Sequence, residues 1–103
     1  MTEEEFHEEL LRRIVEAIDK TGHTFFGLLT SINEDGAVPT ARRLIGPQNS
    51  EPFQDGMRQL KDAGLLHLSV EQAVIDFGER SKIFTLEEVA AAKDRLQLVV
   101  ILL

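Results

Sequence analysis

The chain contains no cysteine. That absence excludes disulfides, structural zinc thiolates and thiol catalysis together, so a fold of 103 residues has to be held by packing alone. The setting expected is reducing and cytoplasmic. A basic-then-apolar leader is missing as well, because residues 2–9 carry Glu3, Glu4, Glu5, Glu8 and Glu9, the opposite of a secretory signal. The longest apolar run, Leu98 to Leu103, is far shorter than the ~20 residues that cross a bilayer, so no membrane span is expected. The seven glycines are dispersed and form neither a phosphate loop nor a dinucleotide fingerprint. None of Ser31, Ser50, Ser69 and Ser81 sits in a nucleophile elbow. His7, His23 and His67 have no partner at ligand spacing and read as surface or boundary side chains. The runs Glu3–Glu5 and Glu87–Glu88 stand where a helix dipole favours negative charge, which accounts for them without acid–base chemistry. No catalytic residue, no metal ligand and no cofactor is therefore expected, and the chain reads as a binding protein rather than an enzyme.

A surplus of basic charge is also lacking. Lysine and arginine number 11 against 18 aspartates and glutamates, a net charge of −7, which counts against strong non-specific attraction to nucleic acid. The deficit is uneven. Residues 1–20 hold seven acids against Arg12, Arg13 and Lys20, whereas residues 37–63 hold Arg42, Arg43, Arg58 and Lys61 against Glu51, Asp55 and Asp62. The middle is the one segment that is not negative.

What is present is an ordinary globular balance, 43% hydrophobic and 28% charged, on a length that suits one core, so residues 1–103 are read as a single domain. Two helix starts share one design. Thr2 is followed three residues on by Glu5, and Thr85 by Glu88, which is the spacing of the reciprocal capping box. Met1 with Phe6 and Phe84 with Val89 occupy the positions of a hydrophobic staple. In the first helix Phe6, Leu10, Leu11, Ile14, Val15 and Ile18 form an apolar stripe that ends at Gly22, with its glutamates and arginines toward water. A further helix is expected from the cap Ser50 to Gly64, with Phe53, Met57 and Leu60 on one face, and a short one from Pro39 to Ile45. Two stretches stay open. Phe25 to Ile32 fits a helix or a strand entering a turn at Asn33–Gly36. Residues 65–84 alternate like a hairpin at Leu66, Leu68 and Val70, yet Ser69 with Gln72 caps a helix whose apolar positions are Val70, Ala73, Val74 and Phe77.

Residues 38–66, VPTARRLIGPQNSEPFQDGMRQLKDAGLL, resemble the core of a winged helix-turn-helix domain: short helix, tight turn, longer helix and a closing Ala-Gly-Leu-Leu. The resemblance runs on through a wing at 67–84 to Thr85-Leu86-Glu87-Glu88. It implies a mainly α (α+β) fold, helices plus one β-hairpin, and a cytoplasmic DNA-binding transcriptional regulator or adaptor. An acidic winged helix equally serves as a protein–protein interaction module, so the partner implied is DNA or protein. Carried onto this chain, the resemblance implies DNA contacts from Thr40, Arg42, Arg43, Ser50, Gln54, Arg58 and Lys61, with Arg80 and Lys82 in the wing. A homodimer through Leu96, Val99, Val100 and Leu103 of the apolar tail is the companion expectation. A rival likeness lies in TSINEDGAVPTARRLIGP, which is similar to the first hairpin of flavin-binding split-barrel oxidases and implies an oxidoreductase. The last segment, FTLEEVAAAKDRLQLVVILL, resembles the tail of zinc-type alcohol dehydrogenases, with nothing upstream to match.

Overall fold

In the computed structural model residues 2–46, 55–78 and 80–102 are described. They form α1 (Glu3–Thr21), α2 (Phe26–Asp35), α3 (Ala37–Ile45), α4 (Asp55–Asp62), a 3-10 turn (Leu66–Leu68), α5 (Val70–Gly78) and α6 (Leu86–Leu102). The fold is mainly α, and no strand occurs among the described residues.

Both capping boxes form. The Thr2 hydroxyl accepts from the Glu5 amide while the Glu5 carboxylate accepts from the Thr2 amide, each at 3.1 Å. The Thr85–Glu88 pair does the same at 3.0 and 2.8 Å and opens α6. Gly22 ends α1 in the left-handed region at φ 75°, its N–H donating to the Ile18 carbonyl. Gly64 at φ 72° ends α4, and the Leu65 amide reaches back to the Leu60 carbonyl, so the Ala-Gly-Leu-Leu stop acts as the sequence suggested. Phe53, Ser50 and Pro52, the expected beginning of that helix, lie outside the described residues, as does Met1 of the first staple.

The resemblances to a winged helix and to a split barrel are overturned in the two open stretches. Leu66, Leu68 and Val70 alternate because a 3-10 turn hands over to a helix, not because a strand is present. The Ser69 hydroxyl accepts from the Gln72 amide at 3.1 Å, and Val70, Ala73, Val74 and Phe77 are then all buried on one side of α5. Among the described residues of 67–84 there is no wing, and Arg80 and Lys82 stand on the irregular link to α6. In the other stretch the supposed hairpin turn joins two helices. Gly36, at φ 95°, donates to the Ile32 carbonyl to close α2 and accepts from the Thr40 amide to open α3. Pro39 falls in the first turn of α3, where a missing N–H costs no intrahelical bond.

The core centres on α1. Phe6, Leu10, Ile14 and Ala17 are buried, and the Phe6 ring meets Phe77 of α5 and Phe84 edge-on, at 5.4 and 5.0 Å between centroids. Val15, expected in that stripe, is 62% exposed because it is one residue, about 100°, off the face. Arg13, expected in water, is instead buried and ties α1 to α5. Its Nε donates to Glu9 at 2.7 Å and an Nη to Asp76 at 2.9 Å, while Gln72 holds the other Asp76 oxygen. Glu9 thereby accepts from both Arg12 and Arg13, and its carboxyl is lowered from the ordinary 4.5 to about 2; the Arg12 hydrogen bond is the chief cause, opposed by burial and reinforced by Arg13. Antiparallel to each other in chain order, α5 and α6 pack closely enough that a methyl group at Gly78 would collide with Val89.

Candidate binding cleft

Residues of α2, α3, α4 and the 3-10 turn border a half-open cleft of about 320 Å³. Leu28, Leu44, Met57, Leu60 and Leu68 give it apolar walls. His23, Ser31, Thr40, Arg43, Glu71 and Arg95 bring polar groups to the same space. This volume lies at the small end of the roughly 300–1,000 Å³ typical of small-ligand pockets, whose usual lining is the same mixture of apolar walls and a few placed polar groups.

Three local features mark the cleft. The first is backbone strain. Phe25 begins α2 at φ 50°, ψ 37°, a conformation that costs a non-glycine residue about 1–3 kcal/mol, and no side chain caps the helix there. Packing holds it in place: the ring is buried, the His23 ring meets it edge-on at 4.6 Å, and Gly56 of α4 comes so close that a Cβ would stand 3.0 Å from the ring. The outcome is that the next residue, Phe26, is 76% exposed at the cleft's rim.

The second is a buried ion pair. Arg95 of α6 donates through Nε to Glu71 Oε2 at 3.0 Å, with both side chains 10% exposed or less. Glu71 stands in the first turn of α5, where the helix dipole favours its charge. The two opposite charges offset each other, and removing either member would take away a close charge partner in the protein interior. The third is an unsatisfied hydroxyl. Thr40, facing the cleft from α3, is 1% exposed, and its Oγ1 has no hydrogen-bond partner. Such a buried group is destabilising by about 1–3 kcal/mol unless something satisfies it.

Of the residues expected to contact DNA, Thr40 and Arg43 border the cleft and Arg42 and Lys82 share a shallow groove elsewhere. Thr40 is buried. Arg42 is spent on internal ties: Nε meets Glu88 at 3.0 Å, an Nη donates to the Ile83 carbonyl at 2.6 Å, and the guanidinium lies over Phe84. It thus clamps the same Glu88 that completes the α6 capping box. Arg43 pairs with Asp35 at 3.2 Å beside the cleft. Arg58 is exposed and Lys61 half-buried on α4. Arg80 lies over Phe77 and donates to the Asp76 carbonyl, and Lys82 is exposed in a shallow groove with Thr2, Glu3 and Arg42. Ser50 and Gln54 lie outside the described residues. Of the expected dimer surface, Val99 is fully buried within the monomer, Leu96 is half-buried, Val100 is 62% exposed, and Leu103 lies outside the described residues.

Sequence reasoning missed Phe25, Phe26, Glu71 and Arg95 as site residues. Glu71 and Arg95 are 24 residues apart, and no local spacing announces their pairing. The one signal available was the pair of aromatics directly after Gly22-His23-Thr24, at a point where the α1 stripe had already ended. Among the described residues no three His, Asp or Glu side chains gather to hold a metal ion, and no helix is long and apolar enough to cross a membrane. No protein-family model, curated protein or solved structure matches the chain.

Proposed function

We propose that the chain is a non-catalytic binding domain that takes up an apolar or amphipathic group in the cleft between α2, α3 and α4. The observation that carries this reading is the coincidence, in one half-open space, of apolar walls, a strained aromatic corner, a buried ion pair and an unpartnered hydroxyl. Strain and unsatisfied polar groups both lower stability, and proteins retain them chiefly where a site needs them. Two of its polar groups serve structure rather than reaction chemistry. The Ser69 hydroxyl caps α5 and the Glu71 carboxylate serves Arg95, which supports binding over catalysis.

A DNA-binding regulator needs a continuous basic face. Here Arg42 and Arg43 are ion-paired within the fold and the net charge is −7, so a ligand or protein group is the better-supported occupant. The experiment is a thermal melt with toluene near its solubility limit, beside titration of a labelled DNA duplex at low salt. Toluene should raise the wild-type melting temperature, as any ligand of the native state must. It should have no effect on Gly27→Leu, which adds bulk beside the cleft at a position where a Cβ meets no other atom within 4 Å. An unchanged wild-type melt, together with salt-dependent duplex binding that Arg58→Ala weakens, would replace this reading with the nucleic-acid one.

A further inference from the structure

The polar groups of the cleft narrow the class of occupant, and this step rests on the reading of the cleft as a binding site. Glu71 is 5% exposed and gives one oxygen, Oε2, to Arg95; no described hydrogen bond reaches Oε1. Thr40 Oγ1, on the same lining, is both a donor and an acceptor without a partner. A group that donates to the carboxylate and accepts from the threonine satisfies both at once. Among small neutral groups a hydroxyl has that two-way capacity. A cation is disfavoured because Arg95 already neutralises Glu71, and an anion because the carboxylate would repel it.

The body attached to that hydroxyl is set by the walls. The buried Phe25 ring already takes an edge-on neighbour in His23, and Phe26 presents an exposed ring at the rim. Aromatic side chains favour edge-on or offset contact with a further ring over contact with an alkyl chain of equal area. With a volume of about 320 Å³, about twice the ~150 Å³ that accommodates benzene, the cleft readily admits a substituted ring.

We propose that the cleft binds a small neutral phenol-class molecule, its ring among Phe25, Phe26 and Leu60 and its hydroxyl between Glu71 and Thr40. The test is calorimetric or NMR titration of the full chain with p-cresol and with toluene, which differ only by the hydroxyl. Wild type should bind p-cresol about tenfold more tightly than toluene, the increment of one or two net hydrogen bonds. Thr40→Val, which keeps the side chain's shape, should weaken p-cresol about fivefold and leave toluene unchanged, and Glu71→Gln should also act on p-cresol alone. A melt of each variant fixes whether it is folded, and Thr40→Val is expected to melt at or above wild type because an unsatisfied hydroxyl is removed. Equal affinity of wild type for the two probes overturns the phenol assignment while leaving the cleft a binding site. Absence of binding by both overturns the two readings together. Sedimentation at two chain concentrations covers the remaining occupant: a dimer that p-cresol fails to dissociate would give the cleft to a second copy and overturn the proposal.

Discussion

The molecule has two halves that use the same side-chain types for different ends. Where α1 packs on α5, the core is closed by three phenylalanines meeting edge-on, and its buried arginine, Arg13, bonds two carboxylates on different helices. Where α2, α3 and α4 border the cleft, two phenylalanines stand side by side in sequence, one held in a left-handed conformation and the next exposed to solvent, and a threonine hydroxyl has no partner among the described residues. Both halves contain an arginine–carboxylate pair at about 3 Å. On the first side the pair ties helices across a filled interface; on the second it borders open space. A protein of this size has only about 5–15 kcal/mol of net stability. A buried polar atom without a partner occurs on both sides, Thr40 Oγ1 at the cleft and Arg13 Nη1 between α1 and α5, so what distinguishes the half read as recognising is the strained Phe25 and the open space beside it.

The largest effect should come from breaking the buried pair beside the cleft. Glu71→Ala removes the buried carboxylate that Arg95 bonds and should cost about 3–5 kcal/mol in urea unfolding, whereas replacing both residues by leucine should cost much less. Equal losses in the single and double variants would mean that packing, not charge, is what the pair supplies.

Next is the closed half. Gly78→Ala forces a methyl group into Val89 at the α5–α6 crossing and should cost about 1–3 kcal/mol, while Gly27→Ala beside the cleft, where nothing stands within 4 Å, should be neutral or stabilising. Losses of similar size at the two glycines would erase the distinction between a tight and an open half.

The two capping boxes give a smaller contrast. Thr85→Ala should cost roughly 0.5–2 kcal/mol, lowering the melting temperature by about 4–8 degrees per kcal/mol. Thr2→Ala should cost less, because Glu88 is also gripped by Arg42 while the Thr2–Glu5 box is exposed and stands alone. A greater loss at Thr2 would show that the Arg42 clamp adds nothing.

The smallest effect is one of pH. Glu9 has a folded-state value of about 2 against an ordinary 4.5, so its stabilising contribution is complete above about 4.5 and disappears as the pH falls toward 2. Glu9→Gln should therefore flatten the fall in stability across that window. An unchanged acid limb would mean that the Arg12 and Arg13 contacts do not persist in solution.

What was legible in the sequence was local. The reciprocal bonds of Thr2 with Glu5, Thr85 with Glu88 and Ser69 with Gln72 span three residues each, and spacing alone exposes them. The mainly helical class followed from those starts and their glycine stops. The supposed hairpin failed because turn chemistry is shared: a glycine with positive φ after Asn-Glu-Asp joins helix to helix here as readily as strand to strand. The beginning of α2 was hidden because Phe25 caps it with no side-chain bond. The cleft was hidden for a different reason. Arg42 with Glu88 and Arg95 with Glu71 pair over 46 and 24 residues, so Arg42, expected as a DNA contact, also ties the fold, and no local spacing announces either pair.

The division into a holding half and a recognising half is tested most directly by mapping backbone-amide shifts of the full chain during titration with p-cresol. The account predicts saturable shifts at Phe26, Gly27, Ser31, Leu68 and Glu71, with the amides of Phe6, Phe77 and Phe84 unmoved. Shifts centred on the Phe6–Phe77–Phe84 cluster, or none that saturate anywhere, would contradict it.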